Sequence, residues 1–135
     1  MNFSVGDSAE ITKTIEQADI DAFASVSGDH NPVHVDEEFA KTTRFGRRIA
    51  HGMLTASLIS SVLANKLPGE GSVYLGQTLQ FIGPVFPGDE VTARVTVKDI
   101  REDKPILKLE TICVNQRDEI VIRGEATVLA AHKRR

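Results

Sequence analysis

Between Gly28 and His34 the chain reads GDHNPVH, placing a carboxylate at Asp29 and an imidazole at His34 five positions apart with Asn31-Pro32 between them. A carboxylate and an imidazole that share one water molecule can take a proton from it and return one to a substrate, and histidine is the side chain whose ordinary pKa lies nearest neutrality. In an unbroken α-helix, residues five apart point about 140° away from each other, so the pair would face different ways. Pro32 removes that obstacle: it supplies no amide hydrogen and presses Asn31 toward extended backbone. The expectation is an irregular loop from Asp29 to His34 that folds the two side chains together. The plainer alternative is a turn capped by Asp29 with His34 as a polar residue at a strand edge, and spacing alone does not decide between them.

Three neighbours bear on the choice. Asn31 either bonds a ligand through its amide or serves as the turn residue before Pro32. Gly52 opens an apolar helical stretch, where free backbone N–H groups and the helix dipole favour negative charge; it either forms an oxyanion hole or simply lets the chain turn. Ser60, two turns on, either supports the site or bonds its own i−4 carbonyl. Lys41, Arg44, Arg47 and Arg48 form a basic run between the loop and that helix, fitting either the phosphates of an anionic ligand or a solvated loop. A zinc site drawn from His30, His34, Asp36 and His51 is set aside, because no CxxC or HExxH accompanies them and their spacing suits a helix that Pro32 interrupts.

The elements that must position these residues read as one small domain. The 135 residues are the size of a single core. Thr14-Ile15-Glu16-Gln17 has the form of a capping box, followed by a helical stripe of Ile20, Phe23 and Ala24 ending near Gly28. A second helix, apolar over more of its circumference than a surface helix needs and therefore expected to be buried, runs from about Gly52 to Leu67, stopped by Pro68-Gly69. Beyond it the rhythm changes to strands: Ser72 to Ile82, then EVTARVTV with Val91, Ala93, Val95 and Val97 on one face, then ILKLETICV and EIVIRGEATVLA. An antiparallel meander is the simplest connection. A long apolar helix followed by such strands hides its faces if the sheet curls around it, giving an α+β domain of hot-dog shape.

Composition narrows the partners. With 16 basic and 19 acidic side chains and a formal charge of -3, no global field draws the protein to nucleic acid or anionic lipid. The opening residues show neither a basic nor an apolar leader region, the greasy segment MLTASLISSVLA is too short to span a bilayer, and Cys113 has no internal partner. The expectation is a cytoplasmic protein that binds neither nucleic acid nor membrane, with HKRR at the C-terminus as a mobile tail.

FASVSGDHNPVHVDEEFA resembles the hydratase-2 motif of the MaoC-like, (R)-specific enoyl-CoA hydratases, and the likeness continues through FGRRIAHGMLTASLIS, GSVYLGQTLQFIGPVFPGDEV and REDKPI. The whole is most similar to the short single-domain hydratases that feed (R)-3-hydroxyacyl-CoA to polyhydroxyalkanoate synthesis. The resemblance implies a hot-dog fold, a homodimer, an acyl-CoA thioester substrate and no metal or redox cofactor, coenzyme A being part of the substrate. It carries the catalytic pair to Asp29 and His34, with Asp29 favoured as base and His34 as acid. Asn31 and Ser60 become supports, and the Gly52 amide becomes the group that polarises the thioester carbonyl. Two other readings use the same shape: a hot-dog thioesterase, which would release free thiol, and a catalytically silent acyl-thioester binding protein.

Overall fold

The computed structural model describes residues 2–131, so the C-terminal HKRR lies outside the described residues. Strand β1 (Ser8–Thr14) leads into helix α1 (Gln17–Ser27). Two single-turn helices follow, α2 (Pro32–Val35) and α3 (Glu37–Ala40), and then the main helix α4 (Gly52–Asn65). Strands β2 (Val73–Gln77), β3 (Gln80–Phe81), β4 (Glu90–Ile100), β5 (Ile106–Val114) and β6 (Ile120–Leu129) complete the chain. Among these, the sheet runs β1-β4-β5-β6-β2 with antiparallel pairing throughout, and β3 pairs with β6.

Strict alternation makes the sheet two-faced. Val91, Ala93, Val95 and Val97 are almost fully buried while Thr92, Arg94 and Thr96 between them are not. Leu107, Leu109 and Cys113 on β5, with Ala126 and Val128 on β6, extend the inward face. Helix α4 lies against that face through Ala56, Leu58, Ile59, Val62 and Leu63. Burying each of the larger aliphatic side chains stabilises the fold by about 1.5–3 kcal/mol, so this one interface carries much of the core. A six-stranded antiparallel sheet holding a central helix is the hot-dog arrangement expected from the sequence. Cys113 sits within the core, and burial pushes its thiol up to about 12.

Several local expectations differ from what forms. The meander is real for β4, β5 and β6, but β1 adds an unexpected edge strand, register-paired from Ser8↔Thr96 to Thr14↔Glu90. Because Thr14 belongs to that strand, α1 starts later than the expected box: Glu16 is its N-cap, and the Glu16 amide donates to the Asp19 carboxylate at 2.8 Å. The expected strand from Ser72 to Ile82 is two pieces with Thr78 and Leu79 between them; β2 itself carries an irregularity at Tyr74/Gly76, and at the break the Thr78 carbonyl closely approaches Gly124. Only a glycine tolerates that approach, since a Cβ at Gly124 would overlap the Thr78 oxygen. Helix α4 ends at Asn65 and is buried only on its sheet side, with Ser57, Ser60 and Ala64 exposed. No helix among the described residues is long and apolar enough to cross a membrane.

Candidate active site

The site begins where α1 ends. Gly28 takes a left-handed conformation (φ 80°) and donates to the Ala24 carbonyl, a glycine C-cap that turns the chain out of the helix. Ser27 Oγ donates to the Phe23 carbonyl at 2.7 Å and accepts the Asp29 amide at 3.0 Å, which fixes where Asp29 leaves the turn. The Asp29 carboxylate accepts the Asn31 amide at 3.2 Å, and Asn31 Oδ1 accepts the Val33 amide at 3.2 Å as the N-cap of α2. Asn31 therefore serves the turn.

His34 is not in an irregular loop. Proline is well suited to the first position of a helix, where its missing N–H is not needed, and Pro32 opens α2 instead of preventing it. The break lies between Gly28 and Asn31, so Asp29 stands on a turn and His34 on a helical turn beside it. Gln17 of α1 donates to the His34 carbonyl at 3.1 Å, and the Ile49 amide donates to the Val33 carbonyl at 3.2 Å, pinning α2 from both sides.

His34 is 9 % exposed as a residue, and its Nδ1 lies 2.7 Å from the Ile49 carbonyl. A carbonyl only accepts, so Nδ1 carries the hydrogen and Nε2 holds the lone pair in the neutral ring. Burial lowers the pKa of His34 below the ordinary 6.5 and the neighbouring His51 lowers it further, outweighing the Ile49 hydrogen bond and the Asp29 charge, which raise it. The ring is neutral at rest.

His51, weighed in the sequence only as a metal ligand, completes the arrangement. It is 2 % exposed, its ring stacks on His34 with centroids 3.9 Å apart, and Nε2 lies 2.9 Å from the Asp29 carbonyl. One polar atom from each of Asp29, His34 and His51 lies within 4.8 Å of the others. The geometry suits a shared water better than a shared metal ion. Imidazole lone pairs lie in the ring plane, and two rings only 28° from parallel do not aim at one point. Of the set considered for zinc, His30 is exposed and Asp36 is occupied capping α3 through the Glu38 and Phe39 amides.

Gly52 is the first residue of α4, so its amide and that of Met53 have no acceptor within the helix, and the N-cap His51 makes no side-chain cap. A Cβ on Gly52 would lie 2.5 Å from Cδ1 of Phe81, so any other residue here would require the Phe81 ring or the helix start to shift. The helix end, Asp29, His34 and His51 all open onto one cavity of about 520 Å³, walled mainly by apolar side chains such as Phe23, Ile49, Met53, Phe81, Ile82 and Val85.

The remaining expected residues do not gather there. Ser60 is exposed on the outward side of α4, away from the cavity lining. The four cations of the basic run are dispersed, with acidic and aromatic neighbours beside them. Lys41 pairs with Glu38 at 3.0 Å, Arg48 pairs with Glu37 at 3.2 Å, and the Arg47 guanidinium lies 4.1 Å from the Phe86 ring centroid. Arg44 alone of the four lines the cavity, over the ring of Phe45.

Comparison with known proteins agrees with this architecture. Residues 5–119 match the family model described as MaoC like domain. The chain is 51% identical to an (R)-specific enoyl-CoA hydratase of Aeromonas caviae, over 94% of this chain and 95% of that one. It is 49% identical to an (R)-specific enoyl-CoA hydratase of Rhodospirillum rubrum, over 92% of this chain and 85% of that one. Among solved structures, the unliganded R-hydratase of Pseudomonas aeruginosa superposes with a TM-score of 0.93 at 44% identity, covering 97% of this chain and 84% of that one.

Proposed function

The chain belongs to the MaoC-like domain family, and from that premise we propose that it is an enzyme adding water to trans-2-enoyl-CoA to give (R)-3-hydroxyacyl-CoA, reversibly. The observation that carries the reading is the convergence of Asp29 and His34 beside the open amides of α4 in one apolar-walled cavity. In an enoyl thioester the C2=C3 bond is conjugated with the carbonyl, so attack at C3 drives charge onto the thioester oxygen. The Gly52 amide is a donor for that charge, strengthening as the enolate forms.

The proton transfers follow from the resting state of His34. Water held between Asp29 and His34 donates its hydrogens to a carboxylate oxygen and to Nε2. As its oxygen bonds to C3, one O–H bond breaks and the pair takes the proton; C2 then receives a proton from the pair. Neutral His34 has no proton on Nε2 to give at the outset, so the expected acid role requires a proton first taken from water. Asp29 and His34 act as one coupled unit. Delivery from one side makes the addition syn.

This mechanism predicts a pH profile. Protonating His34 removes its acceptor, so kcat/KM stays level above 6.5 and falls as pH drops through a pKa below that value. A rate profile against crotonyl-CoA with its acid limb above 6.5 would contradict it.

No metal or redox cofactor enters these steps. Arg44, at the cavity lining, is the cation best placed to meet a phosphate of coenzyme A. Arg44→Ala is expected to raise KM for enoyl-CoA roughly tenfold with little change in kcat, the mark of an interaction made equally in ground and transition states. Initial rates over a range of crotonyl-CoA concentrations check it.

A homodimer, a cytoplasmic setting and supply of hydroxyacyl-CoA for polyhydroxyalkanoate synthesis belong to the same reading. Supporting the dimer, β2 is a free sheet edge on which Val73, Tyr74 and Leu75 are 40% or more exposed, and Phe81 and Ile82 beside it are more than half exposed.

The deciding experiment gives purified protein crotonyl-CoA and follows enoyl-thioester absorbance, free thiol and product chirality together. Loss of absorbance without thiol, with (R)-3-hydroxybutyryl-CoA as product, supports hydration. Thiol release would instead make it a thioesterase, and binding without turnover a silent acyl-thioester protein.

A further inference from the structure

We propose that His51 is the positioning residue of the site, a single side chain that holds Asp29 through its Nε2–H and backs the ring of His34. The inference rests on the hydratase reading for its catalytic meaning and on geometry for everything else. Asp29 stands on an exposed turn, where its amide is held by Ser27 Oγ and its carboxylate by the Asn31 amide, all within the same short segment. The bond from His51 Nε2 to the Asp29 carbonyl at 2.9 Å is different in kind, because it joins that turn to the start of α4, 22 residues away in sequence. His34 reaches the same segment by its own bond to Ile49, two residues before His51. Both halves of the catalytic pair are thus referenced to the stretch that also delivers the Gly52 amide.

The tautomer follows from the bonding. The Asp29 carbonyl can only accept, so His51 carries its hydrogen on Nε2 and Nδ1 is a bare acceptor. Nδ1 is buried and has no hydrogen-bond partner among the described residues. A buried acceptor without a partner is a cost that core filling alone does not explain. What His51 retains is the donor to Asp29, the stack on His34, and a tilted contact with Phe23 at 4.8 Å that keeps the ring from turning. A misplacement of about 1 Å at reacting groups can cost on the order of 100-fold in rate, so an anchor of this kind acts on kcat.

Two amide substitutions separate the donor from the bulk. The side-chain nitrogen of Gln reaches as far as Nε2, whereas that of Asn reaches only as far as Nδ1. His51→Gln is expected to hold kcat within about fivefold of the parent, and His51→Asn to lower it about 10- to 100-fold, with KM for crotonyl-CoA within about twofold in both. Equal kcat values for the two folded variants, or a loss confined to KM, would overturn the proposal. A second measurement needs no variant and no turnover. In nitrogen-15-labelled protein, His51 should show the Nε2–H tautomer and His34 the Nδ1–H tautomer; an Nδ1–H signal from His51 overturns the anchor. Failure of the parent protein to hydrate enoyl-CoA would instead remove the hydratase reading and leave the tautomer result standing by itself.

Discussion

Replacing Asp29 with Asn is expected to cut hydration of crotonyl-CoA by about 100-fold or more while the protein still folds, the usual scale for losing an acid or base. The fold is spared for a local reason. Asp29 is exposed and its carboxylate accepts only the Asn31 amide within its turn, a bond the carbonyl oxygen of Asn can still accept. What Asn cannot do is take a proton from water. His34→Ala is expected to fall at least as far, and it also strips the donor from the Ile49 carbonyl. His34→Asn is the sharper variant, because its amide nitrogen can replace Nδ1 on Ile49 while nothing replaces Nε2. Initial rates followed by enoyl-thioester absorbance, with thermal midpoints beside them, check all three. Ordinary hydration by folded Asp29→Asn and His34→Asn proteins would remove the pair from the mechanism.

The second large effect is expected at Gly52. A methyl group there would lie 2.5 Å from Cδ1 and 2.6 Å from Cε1 of Phe81, well inside van der Waals contact. Either Phe81 swings off β3 or the start of α4 backs away, and both move the cavity wall relative to the Gly52 amide. Gly52→Ala is therefore expected to lower kcat on the order of 100-fold, the scale of a misplacement of about 1 Å, because the amide is kept but displaced. Adding Phe81→Ala should restore part of the rate by making room for the methyl. Full activity in Gly52→Ala, or no recovery in the double variant, would show that this contact does not set the position of the amide.

What the sequence revealed about the site depended on distance along the chain. Asp29 and His34 announce themselves because they share one short segment, and Gly52 because a helix start can be read from the apolar run after it. His51 escaped as an anchor because its partner is a backbone carbonyl 22 residues away, and no side-chain pattern marks such a bond. Its position directly before Gly52 was the available signal. The pairing of Lys41 is legible in the sequence, since Glu38 and Lys41 stand at the i,i+3 spacing at which helical charges meet.

The fold shows the same division. β4, β5 and β6 were readable because one face of each is buried and the alternation is strong. β1 was not, because it is an edge strand whose inward residues, Ala9 and Ile11, are only partly buried against the core, and its identity comes from pairing with β4 more than 70 residues away (Thr14↔Glu90 is the nearest pair). Pro32 has two opposite meanings in sequence, since proline breaks a helix interior but suits the first position of a helix, and here the chain is beginning one.

Cys113 has a practical bearing on separating a hydratase from a thioesterase. Disulfide reagents that reveal liberated coenzyme A react with thiolates, and this sulfur is enclosed between sheet and helix with a pKa near 12, so it presents almost none near neutrality. The folded enzyme should contribute no colour of its own. Any yellow that develops then counts coenzyme A alone, and a slow rise without substrate would report unfolding.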